Sequence, residues 1–173
     1  MAARVKAAQP VRRGKSKPKG DAATRVLVLS GPNLHRLGKR QPEIYGTQTL
    51  EDIHRLLAVH AESANTQVTC RQSNYEGELV SWIGDAKAEG FHGLLLNPGA
   101  LTHTSYALYD ALLGAELPCV ELHLSNPDAR EAFRRKSTVA PACVGRVAGF
   151  GATSYVLALD GLRAHLARQA PPH

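Results

Sequence analysis

The sequence predicts a doubly wound α/β fold, a parallel sheet with helices on both faces. Three observations carry this. Short apolar runs of strand length alternate with stretches of helical periodicity along most of the chain. In the first run successive residues are apolar rather than alternating, as a strand covered on both faces requires, while Gln67 to Gln72 alternates. The first, third and fourth runs end in Gly, Pro, Asn or Ser, and the polar residues most able to do chemistry gather at those ends.

Arg25 to Ser30 is a β-branched run that stops at Gly31-Pro32 and forms the first strand. A long loop covers residues 31–48. Thr49 precedes Asp52 by three residues, a capping-box-like start for a helix over 50–64 whose apolar stripe is Ile53, Leu56, Leu57 and His60. Gln67 to Gln72 is the second strand. Ser73-Asn74-Tyr75-Glu76 looks like a cleaner capping box, opening a helix with Leu79, Trp82, Ile83 and Ala86 inward and an end near Gly90. Phe91 to Leu96 is the third strand. Residues 104–115 form a helix with Ala107, Leu108, Ala111 and Leu112 inward, Pro118 to Leu124 the fourth strand, residues 127–135 a short helix, Pro141 to Ala148 the fifth strand, and Ser154 to Arg168 a closing helix. Right-handed crossovers and a strongly buried first strand favour the flavodoxin-like order 2-1-3-4-5.

With 173 residues, 43% of them hydrophobic and 21% charged, the chain suits one domain and one core. The net charge of +6 is unevenly placed. Residues 1–20 hold seven of the 21 Lys and Arg and no acid, which leaves 14 basic against 15 acidic residues elsewhere. The expectation is a disordered, solubilising basic tail over 1–22 and a nearly neutral domain over 23–173. No apolar core follows the Arg12-Arg13 pair, which argues against a targeting segment. Gly14-Lys15-Ser16 lacks the upstream glycine and strand of a phosphate loop. Cys70, Cys119 and Cys143 form an odd, widely spaced set, so buried thiols in a reducing cytoplasm are expected. No segment approaches the ~20 apolar residues of a membrane span.

Ligands of open α/β sheets sit beyond the carboxyl ends of the strands. The candidate residues fall there. Tyr45 lies in the first long loop with Lys39 and Arg40 just before it. A phenol ordinarily titrates near ~10, and a close guanidinium favours the phenolate, so Arg40 could make Tyr45 a usable base. A loop tyrosine that merely packs, beside a solvated arginine, fits the same spacing. Glu121 and His123 are two apart on a strand and therefore face one side. A carboxylate beside an imidazole favours the protonated ring that a general acid needs; a structural salt link at the sheet's end is the bland alternative. His103 either donates to a ligand or caps a helix. A zinc site from His103, Glu121 and His123 lacks any supporting spacing. Asn33, Asn97, Ser125 and Asn126 each follow a strand and suit a polyhydroxylated ligand. Arg130 and Arg134, four apart on the expected short helix, could meet a carboxylate or line a solvated face.

Taken in order, these residues resemble type II 3-dehydroquinate dehydratase from about Val26 to Leu166. The resemblance is carried by Gly31-Pro32-Asn33-Leu34, Arg40 with Pro42 and Tyr45-Gly46, Arg71-Gln72-Ser73-Asn74, Asn97-Pro98-Gly99, Leu101 to Ser105, Glu121 to Asn126, Phe133-Arg134-Arg135 and Gly149-Phe150-Gly151. It implies dehydration of 3-dehydroquinate to 3-dehydroshikimate without cofactor or metal, in the shikimate pathway or in quinate breakdown. It implies Tyr45 as base, kept ionised by Arg40, and Asn33 as holder of the water or donor that stabilises the enolate. His123, oriented by Glu121, would protonate the departing hydroxyl. Asn97, His103 and Arg134 would hold the ring hydroxyls, and the backbone of Leu124 and Ser125 the carboxylate. A lid from about Gly38 to Gly46 would carry Arg40 and Tyr45. Asp110 would reach a neighbouring subunit's site in a dodecamer of four trimers. The chain departs from the family pattern at Ser30 (usually Asn), at Gln41 (usually Glu) and at Tyr75 (often His), with Lys136 and Thr138 differing from some members. None of these removes an expected proton carrier.

A flavin module would need a hydroxyl-rich loop after the first strand, and a phosphorylated receiver acidic residues there; neither is present. A nucleic-acid role would have to come from the tail. A chain lacking residues 1–22 should therefore show no binding to double-stranded DNA at physiological salt in a fluorescence-polarisation titration.

Overall fold

A computed structural model describes residues 23–39 and 47–169. Arg40, Tyr45 and the rest of the expected lid between them lie outside the described residues, as does the basic tail.

Five strands form one parallel sheet: β1 (Thr24–Ser30), β2 (Thr66–Gln72), β3 (Gly93–Asn97), β4 (Cys119–His123) and β5 (Gly145–Ala148), in the order β2-β1-β3-β4-β5. All four pairings are parallel, as expected for this flavodoxin-like topology. Among the described residues, four α-helices cover it: α1 (Leu50–Ser63), α2 (Glu76–Asp85), α3 (Tyr106–Ala115) and α4 (Thr153–Gln169).

Strand alternation divides the core in two. Val26, Val28, Leu95, Val120 and Leu122 meet Ile53 and Leu57 of α1 and Tyr155, Ala158, Leu159 and Leu162 of α4. Leu27, Leu29, Leu94, Leu96 and Cys119 meet Leu79 and Ile83 of α2 and Leu108 and Leu112 of α3. Both faces are covered, which is why the interior runs of β1, β3 and β4 are largely apolar, while the edge strands β2 and β5 carry polar residues. Each fully buried leucine contributes about 1.5–3 kcal/mol to holding the layers together.

Several local expectations are corrected. The Thr49 box forms: Thr49 Oγ1 accepts from Asp52 N, and the Asp52 carboxylate accepts from Thr49 N. The cleaner-looking box at Ser73 does not. There the Ser73 hydroxyl accepts from Tyr75 N and donates to Glu78, so Tyr75 caps α2 without a side-chain bond. This is the local side-chain-to-backbone turn by which serine competes with helix capping. Residues 127–135 are two 3-10 turns, Pro127–Ala129 and Ala132–Arg135, interrupted by extended Arg130. The fifth strand begins at Gly145, because Ala140–Ala142 curl into a 3-10 turn around Pro141, which has no N–H to give a ladder. Residues 99–103 are likewise a 3-10 turn, and Ser105 rather than His103 caps α3, accepting from Leu108 N. The second helix stops at Asp85, with turns to Gly90, and β3 is shifted to Gly93–Asn97. Leu56 is 42% exposed and Ala107 is also exposed, so neither belongs to its expected stripe.

The tightest junction of the sheet is between the ends of β1 and β3. Gly31 N donates to Asn97 O at 2.8 Å, and a Cβ on Gly31 would lie 2.5 Å from Pro98 O. That partner is backbone and cannot step aside. Gly31→Ala should lower unfolding free energy by about 1–3 kcal/mol, read as a lower urea midpoint at unchanged slope.

Candidate active site

At the carboxyl end of the sheet a cleft of about 350 Å³ opens between three loops. The turn after β1 supplies Pro32, Asn33, Leu34 and Leu37. The turn after β3 supplies Asn97, Gly99, Ala100 and His103. The segment after β4 supplies Leu124, Ser125, Arg130, Glu131 and Arg134, with His123 at the strand's last position. This is the crevice where the direction of winding reverses, between β1 and β3, where such folds hold ligands.

The Glu121–His123 pair forms as the spacing requires. His123 Nε2 lies 2.6 Å from Glu121 Oε1, which leaves Nδ1 as the ring nitrogen available to the cleft. Glu121 is wholly buried and His123 is 8% exposed. A buried carboxylate is costly unless it is paired and hydrogen-bonded. Here Ser137 Oγ donates to Oε2 at 2.7 Å, and Arg146 Nε lies 3.1 Å from Oε1. Burial pushes the Glu121 carboxyl up, but the hydrogen bonds from His123 and Ser137 and the charges of His123 and Arg146 outweigh it, and the net direction is down. The carboxylate is therefore held ionised.

Asn33 adopts a left-handed conformation with φ 67°. Its N–H donates to Asn74 Oδ1 at 2.9 Å, and that oxygen also accepts from Gln72 Nε2 at 3.2 Å. The end of β2 thus braces the turn after β1. Asn97 is 3% exposed. Its Oδ1 accepts from Gly99 N at 3.3 Å and its Nδ2 donates to the Tyr155 hydroxyl at 3.2 Å. His103 Nδ1 bonds Lys136 O at 2.8 Å, and its ring stands edge-on to Phe133.

Beyond β4, Glu131 collects both arginines of the rim. Arg134 Nε donates to it at 2.7 Å while the guanidinium stacks 4.7 Å over Phe133. Arg130 Nε lies 3.5 Å from the same carboxylate, and its Nη1 is 3.4 Å from Ser125 Oγ. Hydrogen bonds from Arg134 and from its own backbone, with the nearby guanidinium charges, pull the Glu131 carboxyl down to about 2. Arg130 and Arg134 do meet, but through Glu131 rather than along a helix face.

The cleft therefore brings together Asn33, Asn97, His103, His123, Leu124, Ser125 and Arg134, with Glu121 behind His123. Asn126 instead caps the 3-10 turn at Pro127, accepting from Asp128 N. Asp110 is exposed on α3 and does not line the cleft. Among the described residues no cluster of three His, Cys, Asp or Glu could hold a metal ion. One imidazole backed by an ionised carboxylate can deliver a proton, while an amide, a hydroxyl and two arginines suit a small, hydroxylated anion.

The family model for class II dehydroquinase matches residues 24–163. The chain belongs to that family. Among its relatives, a 3-dehydroquinate dehydratase of Ruegeria pomeroyi is 56% identical over 144 residues, covering 83% of this chain and 95% of that one. That of Deinococcus radiodurans is 54% identical over 137 residues, covering 79% and 96%. The crystal structure of the type II dehydroquinase from Butyrivibrio crossotus superposes with a TM-score of 0.80 at 39% identity, covering 82% of this chain and 98% of that one.

Four contributors to this dehydroquinase cleft were not singled out from sequence: Ser137, Arg146, Glu131 and Tyr155. Arg146 carried a usable signal, a charge inside an otherwise apolar edge strand. Parallel register sets it opposite Glu121. Ser137 carried none, since it reaches Glu121 from an irregular segment.

A carboxyl group whose folded pKa is depressed adds stability above its ordinary value, 4.5 here, and that stability is lost as pH falls through the folded pKa. The stability gap between the wild type and Glu121→Gln should accordingly be widest at neutral pH and close below pH 4.5, measured by urea unfolding across that range.

Proposed function

We propose that this chain dehydrates 3-dehydroquinate to 3-dehydroshikimate through an enolate, using side chains alone and no cofactor. The observation that carries the reading is the buried Glu121–His123 pair at the floor of a cleft that also presents the Asn33 and Asn97 amides, the Ser125 hydroxyl, the His103 imidazole and the guanidinium groups gathered on Glu131. The printed names of its relatives support it.

In this reading, Tyr45, ionised beside Arg40, removes a proton from the carbon next to the ketone. Asn33 holds a water or donor against the enolate oxygen, and its left-handed backbone is braced for that by Asn74. The enolate then collapses and expels the hydroxyl, which takes a proton from His123 and leaves as water. Glu121 orients the ring through Nε2 and so directs Nδ1 at the leaving group. Asn97, His103 and Arg134 position the ring hydroxyls, and Leu124 and Ser125 receive the carboxylate. Asp110 completes a neighbouring subunit's site. The departures at Ser30 and Gln41 remove none of the proposed proton carriers.

The same reading includes a homo-oligomer, a dodecamer of four trimers. Tyr106 and Leu113, 67% and 53% exposed on the same helix as Asp110, support a covered face there. It also includes a cytoplasmic location, supported by three free cysteines. No described helix is long and apolar enough to cross a membrane. The chemistry serves aromatic biosynthesis and quinate breakdown alike, and biosynthesis is the proposed role.

Purified protein should generate an ultraviolet-absorbing enone from 3-dehydroquinate at the same rate with and without EDTA, and should resist borohydride in the presence of substrate, unlike a lysine Schiff-base enzyme. Tyr45→Phe and Arg40→Ala should each lower kcat by about 10²–10⁴-fold with the far-ultraviolet circular dichroism unchanged. Full turnover by Tyr45→Phe would sink the assigned base.

A further inference from the structure

Beneath the cleft lies a polar chain with no part in the proton transfers above. Ser30 and Asn97 are register partners at the ends of β1 and β3. By strand alternation both point to the α4 side of the sheet, along with Val28 and Leu95. Tyr155, in the first turn of α4, meets them there. Its side chain is fully buried in the core cluster that also holds Val28, Leu95, Leu122 and Leu124. Its hydroxyl is 3.2 Å from Asn97 Nδ2 and 3.2 Å from Ser30 Oγ.

The direction of these bonds follows from the donors. Gly99 N–H needs an acceptor, so Asn97 must turn Oδ1 toward it. That places Nδ2 against Tyr155, whose oxygen accepts and whose own proton goes on to Ser30 Oγ. Two of the carboxamide's four hydrogen-bonding positions are then committed to the protein, leaving one N–H and one oxygen lone pair for the cleft. A donor and an acceptor held side by side is what recognition of a hydroxyl requires. Without the tyrosine hydroxyl, Nδ2 would be buried with an N–H unmatched, and the amide would turn to find water or a new partner.

We propose that Tyr155 is a positioning residue for substrate: it anchors the Asn97 carboxamide from below, and Ser30 Oγ, by accepting from the Tyr155 hydroxyl, holds that hydroxyl in place. This rests on the reading of Asn97 as a contact to a ring hydroxyl. Tyr155 does not line the cleft and touches no reacting atom. Ser30, where the family usually has Asn, thus has a defined task in this chain.

The test is a double-mutant cycle on 3-dehydroquinate turnover with Tyr155→Phe, Asn97→Ala and the pair. A hydroxyl contact made equally in ground and transition states acts on KM, so Tyr155→Phe should raise KM about 10-fold with kcat changed less than about 3-fold. In the Asn97→Ala background it should do nothing further, because the group it positions is gone. Ser30→Ala should raise KM in the same direction by a smaller factor, and it carries the test if Tyr155→Phe does not fold. Independently of activity, the Asn97 side-chain amide resonances, assigned by their loss in Asn97→Ala, should shift and exchange faster with solvent in Tyr155→Phe or, failing that, in Ser30→Ala. An unchanged KM, effects that multiply across the cycle, or an unmoved amide signal would each overturn the proposal. Absence of turnover by the wild type would instead overturn the functional reading, and the amide signal would still decide whether Tyr155 anchors Asn97.

Discussion

Burying the Glu121 carboxylate under the carboxyl edge of the sheet is tolerable only because His123, Ser137 and Arg146 all reach it. Those partners come from three places: two residues along β4, the irregular segment ahead of β5, and β5 itself. Satisfying one charge therefore settles several things together. It orients the imidazole, it holds the 137–140 turn against β4 through a serine that also accepts from Val139 and Ala140 N–H groups, and it pins an edge strand only four residues long. Removing Arg146 would leave the buried carboxylate short of its guanidinium partner, a larger loss than the bond itself, and removing Ser137 would leave Oε2 without its donor.

The second constraint is steric. Gly31 and Pro98 approach too closely for any side chain, and that approach joins the turn carrying Asn33 to the turn carrying Asn97. The two faces of the sheet then divide the work. Asn97 and Ser30 look toward α4 and are anchored from that layer by Tyr155, whereas Glu121 and His123 alternate with Val120 and Leu122 and so look toward the opposite layer. The cleft takes Asn97 from one side of the sheet and His123 from the other, which is why it lies at the sheet's end rather than on either face.

The strands, their order and the Glu121–His123 pair were legible because each depends on short-range rules: apolar runs of strand length, right-handed crossovers, and a period of two. Failures concentrated where local rules compete. Ser73 had the sequence of a capping residue, yet its hydroxyl served Tyr75 N and Glu78 instead. Residues 127–135 carried a helical spacing, but the backbone is extended at Arg130 and Glu131, which splits the segment into two tight turns with Glu131 drawing both neighbouring arginines to the junction. Tyr155 was readable only as a helix residue, since nothing in its neighbours in sequence announces that strand ends 58 and 125 positions away present it with an amide and a hydroxyl. Resemblance to the family supplied roles for Arg40, Tyr45 and Asp110 that spacing alone left open.

The cleft walls come from stretches near residues 33, 99 and 130, brought together only when β1, β3 and β4 lie side by side. Such a pocket has no half-assembled version. Any opening that separates β1 from β3 destroys it outright, so whatever occupies the cleft is linked to cohesion of the central sheet rather than to the rim alone. Occupancy then slows proteolytic nicking at sites remote from the ligand, with protection extending along the whole central sheet.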